Sequence, residues 1–350
     1  MDLSYFIFLS SGLFLGWSLG ANDAANVFGT AVGTKMVKFR TAAFIASLFI
    51  VIGAVFAGAG ASRTLGQLGH INALPGAFMV ALAAALSVYW MVKAAIPVST
   101  SQAIVGAIVG WNIYSGKPTD LDIFFKITST WVICPILSGL IATIIYFIIK
   151  WLLKYSRLHL IRQDSYTRIG LIVAGAFGAY ALGANNIANV MGVFVDSSPF
   201  KGINYHGFSL NAAQILFLIG GLAISSGVYT YSRRVINTVG NGLMHMSPIV
   251  AWIVVVSQSL VLFIFASQGL QNFLLSHGLP ALPLVPVSSS QAVIGAVVGI
   301  GIAKGGHGIS WGTLGRIAIG WITTPAIAAL VCFVSLFFLA NVFNQIVFVP

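Results

Sequence analysis

Two short polar segments interrupt an otherwise apolar chain and bring together side chains that could bind a cation. Residues 20–27 read GANDAANV and residues 183–190 read GANNIANV. These segments are termed the octets, and their polar side chains are Asn22, Asp23, Asn26, Asn185, Asn186 and Asn189. Carboxylate and amide oxygens are hard ligands that suit a small cation. We expect further oxygen ligands from backbone carbonyls that are freed where the leading glycines, Gly20 and Gly183, let each helix unwind.

A second repeated motif combines a proline with hydroxyl side chains. Residues 97–110 read PVSTSQAIVGAIVG and residues 286–299 read PVSSSQAVIGAVVG, with ten of the fourteen positions identical. Proline ends a preceding helix, and serine or threonine caps the start of the next one. Free N–H groups at a helix start, together with hydroxyls, suit a tetrahedral oxyanion. The hydroxyl side chains of these two hairpin motifs are Ser99, Thr100, Ser101, Ser288, Ser289 and Ser290.

Membrane helices are the elements that must position these motifs. The chain has 350 residues, of which 58% are hydrophobic and 7% are charged, whereas soluble domains average about 25% charged residues. The apolar runs lack the period-two alternation of barrel strands, and a helix needs roughly 20 apolar residues to cross a bilayer. The sequence therefore predicts an all-α polytopic membrane protein. Its predicted apolar helices lie at 4–33, 41–62, 75–96, 127–150, 168–195, 209–230, 245–268 and 317–347.

The formal net charge of +11 is explained by membrane topology and does not indicate nucleic-acid binding. The basic residues lie in short loops between apolar runs, where they favour the cytoplasmic side. Twelve of the 17 lysines and arginines fall in one set of loops and four in the opposite set. This distribution predicts a protein of the cell membrane with both termini outside and a short cytoplasmic linker at residues 151–167.

The motifs recur in the same order, so the chain consists of two related halves, residues 1–150 and 168–350. The octets begin at positions 20 and 183 and the hairpin motifs at positions 97 and 286, so octet and hairpin are farther apart in the second half. This difference predicts an insertion in the second half, between residues 231 and 285. The charge-based topology gives the two octets opposite orientations. We predict an inverted-topology repeat with broken helices and two re-entrant-type hairpins, the first bent at Pro97. Such repeats place the substrate site near the membrane midplane, at their interface.

Asp23 is the only acidic residue in a predicted membrane span, and the sequence contains no glutamate. A carboxylate inside a membrane is costly and marks a functional site by default. The motifs contain no arginine, so a bound oxyanion needs countercharge from helix dipoles and from cations bound beside it. The sequence thus predicts cation-coupled uptake of an anion.

Other classes of function lack the residues that they require. A membrane enzyme needs a nucleophile with a base, or a metal cluster, and no histidine, cysteine or glutamate is placed for this inside a predicted span. We expect no enzyme activity and no organic cofactor. A passive channel needs a continuous polar stripe, whereas the polar residues here cluster at two depths.

Purely structural roles are the alternative for each polar residue. Asparagine and glycine in membrane helices also serve packing alone, and serine and threonine also serve as caps. We expect Gln102 and Gln291 to brace the hairpins. We expect Lys93 to extend its charge toward the membrane interface rather than to contact a ligand.

The paired octets and hairpin motifs resemble the duplicated signatures of the inorganic phosphate transporter family, called PiT. The resemblance extends from residue 20 to about residue 325. It implies phosphate uptake coupled to sodium or protons by an inverted repeat, and it is compatible with a homodimer. It implies phosphate contacts at Asn22, Asp23, Asn185, Ser99, Thr100, Ser101, Ser288, Ser289 and Ser290. It implies sodium ligands at Asn22, Asp23, Asn26, Asn185, Asn186, Asn189, Thr100 and Ser289.

Two departures from the family pattern bear on the coupling ion. The family usually carries aspartate in both octets, whereas the second octet here has Asn186, which leaves the number of coupled cations open. The family's hairpin commonly has histidine where Gln102 and Gln291 stand here, and the missing imidazoles favour sodium over protons. We therefore predict a secondary active transporter that imports inorganic phosphate by sodium-coupled symport. The alternatives are a proton-coupled phosphate or sulfate permease of the same fold, or a passive anion channel.

Overall fold

The computed structural model describes residues 3–93, 98–156, 159–205, 208–232, 246–306 and 310–349. In the first half of the chain the helices are α1 (Leu3–Gly33), α2 (Phe39–Ala57), α3 (Ala59–Gly69), α4 (Leu74–Lys93), α5 (Thr100–Ser115) and α6 (Leu121–Tyr155). In the second half they are α7 (Leu160–Met191), α8 (Ala212–Thr230), α9 (Pro248–Ile264), α10 (Gln268–Ser276), α11 (Ser289–Ala303) and α12 (Trp311–Asn341). A 3-10 turn (Gly192–Phe194) and an antiparallel pair of strands, β1 (Ile203–Tyr205) and β2 (Phe208–Leu210), lie between α7 and α8.

Each of the eight predicted apolar helices overlaps a helix of the structure, so the all-α class is confirmed. Six of the described helices are long and apolar enough to cross a membrane. The pair α9 and α10 forms a seventh candidate span, which is bent by 68° at its break. This is a multi-pass membrane protein.

Local sequence signals fix several helix starts. The Asp120 side chain caps α6, and Asn211 and Gln214 form a capping box at the start of α8. Ser247 caps α9, where Pro248 occupies the first turn and needs no N–H partner. Because side-chain oxygens satisfy the free N–H groups, these helices begin at defined residues.

The two helices that carry the octets, α1 and α7, cross in antiparallel orientation. Gly12, near the start of α1, lies against Val190 at the end of α7, whereas Gly178 in the middle of α7 lies against Val27 near the end of α1. The octets meet where the helices cross. Because α1 and α7 correspond by sequence repeat, the two halves have opposite orientations, and the inverted-topology repeat is confirmed.

The two halves pack against each other through equivalent pairs of helices. Helix α1 packs against α8 and α2 against α7, while α5 packs against α12 and α11 against α6. In each pair the two helices come from different halves. The pair α1–α8 corresponds to α7–α2, and the pair α5–α12 corresponds to α11–α6. The halves are therefore interlocked about an approximate two-fold axis.

The octet glycines serve this packing and do not break the helices. Residues 20–27 and 183–190 are helical throughout. A Cβ added at Gly20 would collide with the backbone carbonyl of Ile224, and one added at Gly183 would collide with that of Ile50. The predicted unwinding at Gly20 and Gly183 is therefore wrong. These glycines instead let two helix backbones approach closely, as small residues do in membrane helices.

The hairpin motifs use the same device at their own helices. Gly106 of α5 lies against the carbonyl of Pro325 in α12, and Gly295 of α11 lies against the carbonyl of Pro135 in α6. These contacts hold α5 and α11 against the two long helices. Both hairpin motifs consequently begin at a fixed depth in the fold.

The inserted residues of the second half are divided between two places. The first difference follows the octets. Residues 28–38 lie between the first octet and α2, whereas the longer range 191–211 lies between the second octet and α8 and includes the two β-strands. The second difference lies around the hairpins. From the start of α4 to the residue before α5 the first half uses residues 74–99, whereas from the start of α9 to the residue before α11 the second half uses the longer range 248–288. The prediction of a single insertion between residues 231 and 285 is therefore wrong, because some of the extra residues lie before α8, at 191–211.

The two hairpins also differ in shape. Pro97, the predicted bend of the first hairpin, lies outside the described residues. In the second hairpin the chain returns from α10 past α3, where Thr64 Oγ1 donates to the carbonyl of Leu284 at 2.7 Å. Helix α6 ends at Tyr155 and α7 begins at Leu160, so the proposed linker consists largely of helix ends. The boundaries of the two halves and the side of the membrane that each terminus faces stay predictions.

Candidate functional site

The tips of the two hairpins meet in the buried core between the halves. Ser101 Oγ of the first hairpin donates to the carbonyl of Val287 at 3.1 Å, and Ser290 Oγ of the second donates to the carbonyl of Val98 at 3.3 Å. The six hydroxyl residues of the hairpin motifs are each at most 9% exposed. These reciprocal bonds place the starts of α5 and α11 against each other.

Each octet binds the hairpin of the opposite half. Asn26 Nδ2 donates to Ser289 Oγ at 3.1 Å, and Asn189 Nδ2 donates to Ser101 Oγ at 2.8 Å. The structure therefore brings both octets and both hairpin motifs to one junction. This junction lies where α1 and α7 cross.

The Asp23 carboxylate lies at the junction and binds amide donors from both octets. Asn22 Nδ2 donates to Oδ1 at 2.9 Å, and Asn186 Nδ2 donates to Oδ2 at 3.4 Å. Asp23 is only 3% exposed. In the part of the chain that the structure describes, the one ion pair joins Arg168 to Asp164 at the surface, and no basic side chain pairs with Asp23. A buried carboxylate of this kind needs a positive partner.

Three of the predicted ligands act as braces in this conformation. Asn185 donates to the carbonyl of Val285 at 3.0 Å and accepts the N–H of Val287 at 2.8 Å, so both ends of its amide are occupied. Ser99 and Ser288 cap α5 and α11 by accepting the backbone N–H three residues further on. These bonds shape the extended segments that lead into the two hairpin helices.

Several oxygen atoms near the junction are buried and have no hydrogen-bond partner among the residues that the structure describes. They are Thr100 Oγ1, Gln102 Oε1, Asn186 Oδ1, Asn189 Oδ1, Gln258 Oε1 and Gln291 Oε1. In contrast, the side-chain amide of every octet asparagine donates a hydrogen bond. Unpartnered buried oxygens are unfavourable and call for an explanation such as a bound ion. Hydroxyl and carbonyl oxygens around one carboxylate fit a hard cation such as sodium.

The residues present do not favour a transition metal. Within the described ranges, no group of three histidine, cysteine, aspartate or glutamate side chains could hold a metal ion. Both cysteines, Cys134 and Cys332, are buried and free. The donor set around Asp23 is instead made of neutral oxygens and a single negative charge, which suits a cation of low charge.

Gln258 is a candidate site residue that the sequence reasoning missed. It lies between Ser257 and Ser259 on α9, all three residues are fully buried, and its Nε2 donates to the carbonyl of Asn26 at 2.5 Å. The equivalent stretch of α4, residues 82–86, reads LAAAL where α9 reads VSQSL at 256–260. A polar triplet inside an apolar run, absent from the other half, was the available signal.

Comparisons with known proteins place these motifs in one family. A sequence model described as the phosphate transporter family matches residues 19–332 and 279–347, which include both octets and both hairpin motifs. A Methanocaldococcus jannaschii protein provisionally named a phosphate permease is 27% identical over 336 residues, covering 95% of this chain and 97% of the relative. A Bacillus subtilis protein provisionally named a low-affinity inorganic phosphate transporter is 26% identical over 330 residues, covering 93% of each chain.

A solved structure described as "the sodium-dependent phosphate transporter" has the same fold. Its TM-score is 0.76, with 20% sequence identity, and the match covers 96% of this chain and 98% of that one. The similarity therefore extends over both halves and over the inverted arrangement that brings the octets to the hairpins.

Proposed function

The chain belongs to the phosphate transporter family, and from that premise we propose that it is a secondary active transporter that imports inorganic phosphate with sodium ions across the cell membrane. The observation that carries the proposal is the Asp23 carboxylate, which is buried where octets and hairpins meet and has no basic partner in the described part of the chain. Members of this family are transporters and not enzymes. Sodium as coupling ion, external termini and a cytoplasmic linker are parts of the proposal.

Asp23 is the centre of the proposed sodium site. Asn22 and Asn186 hold its two oxygens through amide donors, so the carboxylate keeps a fixed direction. The unpartnered oxygens of Asn186, Asn189 and Thr100 are available as further ligands. One carboxylate neutralises one monovalent cation, so any second cation has to be balanced by the phosphate itself.

Three other proposed sodium ligands are engaged elsewhere in this conformation. Asn26 and Ser289 bind each other, and Asn185 binds the backbone that precedes α11. The Asn185 oxygen accepts the Val287 N–H and becomes a ligand only by exchanging that bond, whereas Asn26 donates through its nitrogen and keeps its side-chain oxygen for a cation once it turns toward the site. The site therefore assembles as the hairpins move relative to the octets.

The facing starts of α5 and α11 form the proposed phosphate site. Each helix start presents N–H groups with a partial positive charge, which bind oxyanions. Ser101 and Ser290 donate to backbone carbonyls of the opposite hairpin, and Thr100 Oγ1 has no partner within the described ranges. Phosphate oxygens can replace those carbonyls as acceptors, so the hydroxyls that join the halves in one state bind substrate in another.

Two glutamine oxygens favour phosphate over sulfate. Gln102 Oε1 and Gln291 Oε1, each in the first turn of a hairpin helix, are buried and accept no hydrogen bond from any described residue. At neutral pH phosphate carries a proton that it can donate to such an oxygen, whereas sulfate has none. A site that leaves buried acceptors unpaired discriminates against the ligand that cannot fill them.

The charges at the junction explain why the two solutes would move together. The Asp23 carboxylate repels phosphate until a cation neutralises it, and the cation is held more firmly once the anion adds negative charge. The hydrogen bonds between octets and hairpins cross from one half to the other. Rocking of the halves can therefore open the junction to one side of the membrane at a time.

Uptake of labelled phosphate into proteoliposomes tests this function. An inward sodium gradient should drive phosphate above its equilibrium level, which a passive channel cannot do. Accumulation that follows a proton gradient and ignores sodium would contradict sodium coupling. Excess sulfate should leave uptake almost unchanged, and full competition would contradict the assignment of phosphate.

A further inference from the structure

A half-open cavity lies beside the first octet, next to the central junction. Its empty volume, including the open solvent at its mouth, is about 370 Å³, and it is lined by α1, by α4 and by Tyr231 just beyond α8. Asn22 forms part of its wall and also donates to Asp23 at 2.9 Å. The side chain of Asn22 therefore stands between the cavity and the Asp23 carboxylate.

The ammonium group of Lys93 belongs to this cavity. Lys93 is exposed in the last turn of α4, lines the cavity, and holds Nζ 4.9 Å from the centre of the Tyr89 ring. Among the described residues it forms no ion pair with an acidic side chain. Its charge is oriented by an aromatic ring and remains available to an anion.

A second polar group in the cavity is the Ser18 hydroxyl. Ser18 is 6% exposed, and its buried hydroxyl has no hydrogen-bond partner among the described residues. The indole N–H of Trp17, in contrast, donates to Thr230 Oγ1 at 2.8 Å. Three of the polar groups that line the cavity are the Lys93 ammonium, the Ser18 hydroxyl and the Asn22 amide. All three can donate a hydrogen bond, which suits an oxyanion.

We propose that this cavity is a vestibule that binds inorganic phosphate before it reaches the junction, with Lys93 as its charged contact and Ser18 as its hydroxyl contact. The inference rests on the proposed transport of phosphate. The junction is negatively charged through Asp23, so an anion approaching it gains from a cation placed on its path. A positive charge in a partly closed cleft raises the local concentration of an anion.

The vestibule belongs to one face of the carrier only. Lys93 is the twentieth residue of α4, and the twentieth position from the start of α9 is Ser267, which caps α10. The second half therefore has no lysine at the equivalent place. The carrier captures phosphate electrostatically on one side and releases it without such a contact on the other.

Exchange of labelled for unlabelled phosphate across proteoliposomes tests the vestibule, because exchange passes both faces whichever way the protein is inserted. We expect Lys93→Gln to raise the half-saturating phosphate concentration about 5- to 10-fold, with the maximum rate changed less than about twofold. Raising the ionic strength should weaken phosphate binding to the unmodified protein and have little effect on the variant. Lys93→Arg should behave like the unmodified protein, as should Lys126→Gln, which removes an exposed lysine from α6.

Half-saturation by phosphate that is unchanged in Lys93→Gln would overturn the vestibule, and Lys93 would then only extend toward the membrane interface. If the unmodified protein did not exchange phosphate at all, the proposed function would be overturned instead. The two failures are therefore distinguishable.

A cysteine at the same position provides an independent test. The native cysteines are fully buried, so Lys93→Cys supplies an accessible thiol against a low background. A thiosulfonate reagent that adds an ammonium group should restore phosphate affinity, one that adds a sulfonate should lower it further, and phosphate should slow both reactions. Equal effects of the two reagents, or no protection by phosphate, would overturn the proposal.

Discussion

At the scale of single residues, the proposed cation site depends on Asp23. Its carboxylate is buried, is oriented by two amide donors, and has no basic partner among the described residues. A bound sodium ion would remove the cost of this isolated charge. Asparagine at the same position keeps the shape of the side chain and removes the charge.

We expect Asp23→Asn to lower sodium-dependent phosphate uptake more than about 100-fold, because an interaction of about 3 kcal/mol or more is lost. Sodium at 100 times its Kd should add about 2.7 kcal/mol to the free energy of unfolding of the unmodified protein. The variant should lack this stabilisation. Thermal unfolding in sodium chloride and in choline chloride measures it. Asp120→Asn, at the exposed cap of α6, is the control and should keep the sodium response. Stabilisation by sodium that survives in Asp23→Asn would refute the role of the carboxylate.

Gln258 supports the same site from α9. We expect Gln258→Leu to raise the half-saturating sodium concentration about tenfold, because it removes the donor to the Asn26 carbonyl and an oxygen without another partner. Ser257→Ala is a matched control, since the Ser257 hydroxyl donates only within its own helix, to Ile253. Sodium titrations of phosphate uptake compare the two. Equal sodium affinities in both variants would place Gln258 outside the site.

The residues of the site were predictable to different degrees. The octets and hairpin motifs stand out because polar side chains are rare in this chain and recur in matched order, and the structure brings them together. The sequence analysis missed Gln258 because this polar residue occurs in only one half, so no repeat distinguishes it from a packing residue. Lys93 was expected to reach toward the interface, since the sequence does not show that α1 and α4 leave a cavity beside it.

At the scale of helices, glycine determines how closely the two halves approach. Gly20 faces the carbonyl of Ile224 and Gly183 faces that of Ile50, so each octet begins at a contact between two backbones. A methyl group at either position has no room without separating the helices. The distance between the octet and the hairpin of the opposite half depends on this contact.

We expect Gly20→Ala to lower the free energy of unfolding by about 2–3 kcal/mol, as overpacking does, and to reduce phosphate uptake strongly. Gly33→Ala, in the last residue of the same helix, is the control because an added Cβ there meets nothing within 4 Å. Thermal unfolding and uptake of both variants can be measured side by side. If Gly20→Ala were as stable and active as Gly33→Ala, the close contact with α8 would not be a constraint.

The helices themselves were largely predictable, but their interruptions were not. A long apolar run has to be a helix in a membrane, and all eight predicted runs overlap one. The unwinding predicted at Gly20 and Gly183 was wrong because a glycine that breaks a helix and one that admits a neighbouring backbone look alike in sequence. The partner carbonyls belong to Ile224 and Ile50, far away in the chain.

At the scale of the whole molecule, the approximate two-fold axis relates Asp23 to Asn186, and the two side chains touch at 3.4 Å. The negative charge thus lies almost on the axis, although only one half supplies it. Moving the charge to the other half should change its position little.

We expect the double variant Asp23→Asn with Asn186→Asp to recover sodium-dependent phosphate uptake to roughly a tenth or more of the original rate, as coupled neighbouring residues can compensate each other. The control is Asp23→Asn with Asn112→Asp, because Asn112 is equally buried but binds Leu68 and Thr119 away from the junction. Uptake in proteoliposomes compares the pairs. If neither double variant recovered uptake, the negative charge could not be moved from the first octet to the second.

The unequal octets have a consequence for the direction of transport. If both halves were identical, the states open to either side would be related by the two-fold axis and would have equal energy and equal affinity. Because one octet is acidic and the other neutral, and because Lys93 stands on one face only, the two states differ in energy. The gradients alone still set the final distribution of phosphate, but the proposed vestibule should make the carrier half-saturate at different phosphate concentrations on its two faces.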